Sequence, residues 1–161
     1  MAHSHDCDHD HDQRGLSGDA LSVGLASALA RCEADGQRLT PPRRRVLEML
    51  LKAGQPVKAY DLIANYGDGG APAKPPTVYR ALDFLSKLGL AHRIESLNAY
   101  IACCGGGEGH TAAFLICDCC GATCEIAPTV ASEVERLAGV QGYSLTALMV
   151  EAHGLCGDCR S

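Results

Sequence analysis

Apolar positions recur at spacings of three and four over the first half of the chain, and the period changes to two near residue 90. Leu21, Leu25, Leu29 and Cys32 mark one face of a first helix, capped by Ser17 or Asp19 and ending near Gly36. Thr40-Pro41 supplies the cap and first-turn residue of a second helix, whose Val46, Leu47, Leu50 and Leu51 precede a stop at Gly54. A third, shorter helix is expected around 60–63, followed by the loop GDGGAPAKPP. In KPPTVYRALDFLSKLGL, Pro75-Pro76 open a fourth helix and Gly89 closes it. Its apolar stripe is Val78, Leu82, Leu85 and Leu88, which leaves Tyr79, Arg80 and Asp83 on the outward face.

After Gly89, alternating segments at 91–95 and 99–102 flank Ser96-Leu97-Asn98 and read as a β-hairpin. Helices followed by a hairpin make a winged helix, in which an outward Tyr and Arg near a helix N-terminus can read base edges. An ordinary amphipathic helix with a solvated Arg fits the 74–90 segment alone equally well. The Gly-rich stretch CCGGGEGH (103–110) marks a boundary. Beyond it strands are expected at 114–117 and 122–126, a helix at 128–138 and a strand near 143–151. The fold class is therefore α+β: a disordered tail (1–15), a winged helix-turn-helix domain (16–102), a linker (103–111) and a small α/β domain (112–161). So small a final domain calls for a metal and a partner subunit.

Charge sharpens this division. The net charge is −5, but residues 1–12 carry −4, residues 13–94 carry +5 and residues 95–161 carry −6. A basic middle between acidic flanks fits a nucleic-acid-binding half joined to something else. No apolar run approaches the ~18 residues of a membrane span, and the opening residues are acidic and His-rich rather than basic then apolar. A cytoplasmic protein with no membrane partner is expected.

Ten cysteines in a reducing compartment point to metal or thiol chemistry rather than disulfides. Cys117-Asp118-Cys119-Cys120-Gly121 and Cys156-Gly157-Asp158-Cys159 form two C-x2-C knuckles 35 residues apart. Two such pairs can hold one tetrahedral zinc through Cys117, Cys120, Cys156 and Cys159. An iron–sulfur cluster or a reversible dithiol pair uses the same spacing, and Cys119 blurs the first knuckle. A second, looser set brackets the boundary: His92, Cys103, His110 and Glu125, whose mixed donors suit zinc. Taken singly, each is as ordinary as a solvated His or a buried Cys. The segment MAHSHDCDHDHDQRG interleaves His3, His5, Cys7, His9 and His11 with Asp, which reads either as weak zinc capture or as a solvated acidic tail.

KPPTVYRALDFL, the His-bearing hairpin, the two knuckles and EAHGLC together resemble the ferric-uptake-regulator (Fur) superfamily, closest to its zinc-uptake regulator (Zur) branch, over roughly residues 18–160. The resemblance implies a homodimeric, metal-dependent repressor, with 103–111 as a hinge linker and 112–161 as a zinc-stapled α/β dimerisation domain, whose zinc-loaded form binds A·T-rich inverted-repeat operators in double-stranded DNA and shuts off zinc-uptake genes. It places structural zinc on Cys117, Cys120, Cys156 and Cys159, sensing zinc on His92, Cys103, His110 and Glu125, and operator reading on Tyr79 and Arg80. Two zinc ions per subunit are expected. Arg43, Arg44, Arg45 and Lys74 are candidates for phosphate contacts.

Departures from the family pattern carry information. Iron- and peroxide-responsive members have a His-His-x-His-type cluster before the first knuckle, where this chain has His110-Thr111-Ala112-Ala113-Phe114. That favours a thiolate-containing zinc sensor. Cys104 and Cys124 adjoin proposed ligands and can stand in for one, while His153 reads as structural. A thiol redox switch built on Cys103-Cys104 and Cys119-Cys120 is the rival within the same class. A zinc storage or trafficking protein is the rival outside it. The sequence shows no catalytic constellation, so neither an enzyme nor a small-molecule substrate is expected.

Overall fold

In a computed structural model the described residues are 15–67, 69–103, 112–126, 129–145 and 148–160, without the side chains of 129–131. They fall into two compact units, one within 13–108 and one within 109–161. The expectations for residues 1–14 of the tail, for His110 and Cys104 and for residues 104–111 of the linker lie outside the described residues.

The first unit runs α1 (Gly18–Ala34), α2 (Pro41–Ala53), β1 (Val57–Lys58), α3 (Ala59–Ala64), α4 (Pro75–Lys87), β2 (Ala91–Ile94) and β3 (Ala99–Ala102). α2 starts at Pro41, whose fixed φ suits the first turn, and stops at Gly54 with φ 62°. α4 ends in a Schellman motif: Leu90 N–H donates to the Leu85 carbonyl (2.8 Å), and Gly89 N–H donates to Ser86 (3.1 Å). Gly89 takes φ 61°, where a Cβ would be strained.

Val78, Ala81, Leu82 and Leu85 are buried and meet Val46, Leu47 and Leu50 of α2 in one core. Leu88 differs from expectation. It is the C-cap residue, half-buried, because the chain has already left the helix there. In α1 the inward stripe is Leu25, Ala28 and Cys32 with Leu21 beside it, while Leu29 is 44% exposed. A small Ala faces the core where the expected pattern put a Leu, because α1 is rotated to fit its neighbours. Burial pushes the Cys32 thiol up from its ordinary range, as befits a core cysteine. Leu82→Ala is expected to cost ~2–5 kcal/mol in urea unfolding. Leu29→Ala should change stability by less than ~0.5 kcal/mol. Equal losses would contradict this orientation of α1.

The sheet order is β1-β3-β2, all antiparallel, with His92 opposite Ile101 and Val57 opposite Tyr100. The hairpin was legible from alternation. The two-residue β1 was not, because so short a strand has no period of its own.

The second unit contains β4 (Ala112–Cys117), β5 (Thr123–Ile126), α5 (Thr129–Val140), β6 (Met149–Gly154) and a 3-10 turn, Gly157–Cys159. Its sheet order is β5-β4-β6, with β4 antiparallel to β5 and parallel to β6. The last strand lies later than expected, since Tyr143 and Leu145 stand in a loop and are exposed. Phe114 is fully buried on central β4. No helix among the described residues is long and apolar enough to cross a membrane.

Candidate metal centres and nucleic-acid face

The parallel β4–β6 pairing sets Cys117 opposite Gly154, so the end of one strand lies beside the approach to the second knuckle. Asp118 N–H donates to the Gly154 carbonyl (2.8 Å). The first knuckle closes through Gly121 N–H to Cys117 O (2.9 Å) and Cys117 N–H to Ala122 O (2.9 Å), with Gly121 at φ 75°. His153 Nδ1 and Asp118 Oδ1, 2.9 Å apart, add a side-chain tie between β6 and this turn.

The sulfurs of Cys117, Cys120, Cys156 and Cys159 all lie within 4.8 Å of one another. Cys120 Sγ and Cys156 Sγ are 3.8 Å apart. Four sulfurs at ~2.3 Å from a tetrahedral zinc stand ~3.8 Å from each other, so the spacing suits that ion. A disulfide needs ~2.05 Å, so Cys120 and Cys156 are not bonded to each other. The N–H groups of Cys120 and Cys156 bring the Cys117 thiol down to about 6, and the Cys156 N–H lies 3.3 Å from its sulfur. Burial, with hydrogen bonds among the thiols, pushes Cys159 far up, and burial also raises Cys120. Crowded thiols cannot all ionise by themselves. A sulfur-seeking divalent cation supplies the charge that lets them. Cys119 is exposed and outside this foursome.

Of the looser set, His92 lies on β2 and Cys103 just after β3, where Cys103 N–H donates to the Leu90 carbonyl (3.0 Å) and extends the hairpin ladder. This puts both side chains on one face, and their donor atoms are within 4.8 Å. Glu125 belongs to β5 of the other unit, opposite Phe114. Its neighbour Cys124 is exposed and, one residue away on a strand, points to the opposite face. Cys124 therefore cannot take the place of Glu125 without a shift in register. His110 and Cys104 lie outside the described residues.

On α4, Tyr79 (48% exposed) and Arg80 are adjacent and outward, and Lys74 is exposed at the N-cap. The three consecutive arginines of α2 have different surroundings. Arg44 is exposed. Arg43 stacks its guanidinium 3.4 Å from the Phe84 ring centroid and donates to the Arg38 carbonyl (2.6 Å). Arg45 donates to the Tyr66 carbonyl (2.7 Å) and pairs with Glu48. Arg43 and Arg45 thus brace α4 and the loop after α3. Sequence reasoning also passed over Arg31, which donates to the carbonyls of Leu88 (2.8 Å) and Gly89 (3.4 Å) at the end of α4. No local pattern signals a contact 57 residues away in the chain.

A winged-helix unit with an outward Tyr–Arg pair, followed by an α/β unit bearing four convergent thiols, defines a metal-linked regulator class. Residues 34–153 match the model of the ferric uptake regulator family. The chain belongs to that family. It is 42% identical over 137 residues to the zinc uptake regulation protein of Escherichia coli (strain K12), covering 84% of this chain and 80% of that one. Among solved structures it is similar to a zinc uptake regulator complexed with zinc and DNA (41% identity, TM-score 0.79, covering 86% of this chain and 94% of that one). It is also similar to holo XcZur (41% identity, TM-score 0.76, covering 87% and 98%).

Proposed function

We propose that this chain is a zinc-responsive, DNA-binding repressor of zinc-uptake genes that works as a cytoplasmic homodimer and does no chemistry on its metal. The observation that carries the reading is the exposed Tyr79–Arg80 pair on α4, set in a chain 41% identical to a zinc uptake regulator complexed with zinc and DNA. In this reading Arg80 makes a bidentate contact to guanine and Tyr79 packs against a thymine methyl. Arg44 and Lys74 supply phosphate contacts, with Arg43 and Arg45 holding the helices that present them.

Two zinc ions per subunit have separate roles in this reading. The Cys117, Cys120, Cys156, Cys159 site is structural. His92, Cys103, His110 and Glu125 form the sensor, supported by the proximity of His92 to Cys103. The sensor ion favours the dimer whose recognition helices stand ~34 Å apart, one DNA turn, on an A·T-rich inverted repeat. Homodimerisation through the second unit is supported by its exposed Leu137, Val140 and Leu155.

The test is metal-resolved binding to a duplex selected from a randomised pool by the zinc-loaded protein. Zinc should promote binding, whereas iron, manganese and nickel should not match it and a chelated sample should lose it. Arg80→Ala is expected to cost ~1–3 kcal/mol on the selected duplex and to spare scrambled DNA. Arg44→Ala should weaken both DNAs and flatten the salt dependence by about one unit of slope. If Arg80→Ala weakens both duplexes equally with a lower salt slope, α4 does not read sequence through that residue.

A further inference from the structure

The β4–β6 ladder ends at the Cys117–Gly154 pair, just where the two cysteine knuckles begin. Past that point strand pairing no longer holds one knuckle against the other. Asp118 N–H donates to the Gly154 carbonyl (2.8 Å), and Cys156 N–H lies 3.3 Å from Cys117 Sγ. A further tie is made by side chains that contribute no sulfur. His153 Nδ1 stands 2.9 Å from Asp118 Oδ1, and since a carboxylate only accepts, the imidazole N–H donates. Glu151 Oε2 is 4.0 Å from His153 Nε2, beyond hydrogen-bond distance, so the tie rests on the Asp118 side of the ring. The His153 and Asp118 side chains are 39% and 59% exposed, so this bond is not part of the packed core.

We propose that His153 and Asp118 form a latch, outside the four thiolates, that holds the two knuckles closed and so sets how slowly the structural metal is released. This deepens the reading of Cys117, Cys120, Cys156 and Cys159 as that metal's site and rests on it. Asp118 sits inside the first knuckle, between Cys117 and Cys120, and His153 precedes the second on β6. For one knuckle to swing away from the other, the His153–Asp118 bond must break along with the two backbone ties. Release by such local opening is governed by how often the closed form opens, and each bond lost on opening makes that rarer. The latch therefore acts on residence time. The chemistry of the site stays with the sulfurs, whose turn the latch orients from outside, as partners beyond the ligands do in metal sites generally. His153 and Asp118 are thus positioning residues, and the imidazole needs no metal of its own to have a role.

The test uses the full chain loaded with cobalt(II) in place of zinc, kept anaerobic and reduced. Thiolate-to-cobalt charge-transfer absorbance grows with the number of bound sulfurs, so it reports on the four-thiolate site. Its decay in excess chelator gives the release rate. His153→Ala and Asp118→Ala should each release cobalt about threefold to fivefold faster than wild type, the scale of one exposed charge-assisted hydrogen bond. Their starting spectra and metal content should match wild type. The double variant should be no faster than either single one, because both remove the same bond. Asp118→Asn keeps the acceptor oxygen without the charge and should retain wild-type release, which separates the bond from the charge. Wild-type rates in both alanine variants, additive effects in the double variant, or an Asp118→Asn rate equal to that of Asp118→Ala overturns the latch. A wild-type spectrum lacking the four-sulfur band would instead overturn the four-thiolate reading beneath it.

Discussion

Cys117→Ser and Cys156→Ser are each expected to leave the 109–161 unit unfolded and short of one zinc per chain. The cause is the size of that unit: the three strands, one 12-residue helix and 3-10 turn among its described residues offer little apolar surface to bury. Structural zinc in such settings supplies an apparent ~10–16 kcal/mol, comparable with the whole ~5–15 kcal/mol stability of a typical domain. Serine keeps the volume but provides no thiolate, and Cys117 is the sulfur already pulled toward ionisation by two N–H groups. Circular dichroism, zinc analysis and sedimentation measure the outcome. Cys119→Ser is the control and should change none of them, because its sulfur is exposed and outside the foursome. A Cys117→Ser protein that stayed folded and dimeric with full zinc content would rule out the four-thiolate site.

The second large effect concerns regulation. His92→Ala and Cys103→Ser should leave both units folded, since both side chains are only half-buried at one end of the hairpin. They should remove most of the zinc dependence of DNA binding. Coupling between a metal and a DNA site is typically ~1–3 kcal/mol, or about 5–150-fold in affinity, and it acts in both directions. Fluorescence anisotropy on the selected duplex, with zinc in excess and then chelated, reads the coupling directly. Wild-type zinc dependence in both variants would sink the sensor assignment. If Cys103→Ser alone were silent, Cys104 would be the thiolate ligand.

Much of this was legible in the chain because local rules dominate there. Pro75, Pro76 and Gly89 bracket α4, and period-2 alternation located β2 and β3. Two C-x2-C spacings named the four cysteines that the β4–β6 pairing brings together. These features need only neighbouring residues, since caps, turns and knuckles are set by backbone geometry over a few positions.

What the sequence could not settle depends on distant partners. Three consecutive arginines look alike in a string, but their directions around α2 differ by about 100° per residue. Only the packed helices decide that Arg43 meets Phe84, Arg45 meets Tyr66 and Arg44 is left exposed. The rotation of α1 that exposes Leu29 and buries Ala28 was equally hidden, because a helix with apolar residues on more than one side chooses its face when its neighbours dock. The sequence by itself determined the helices, the hairpin, the two cysteine knuckles and the outward Tyr79–Arg80 pair. Tertiary structure alone decided which cationic side chains brace the fold and which face of α1 is buried, because each is a contact between residues that local periodicity cannot relate.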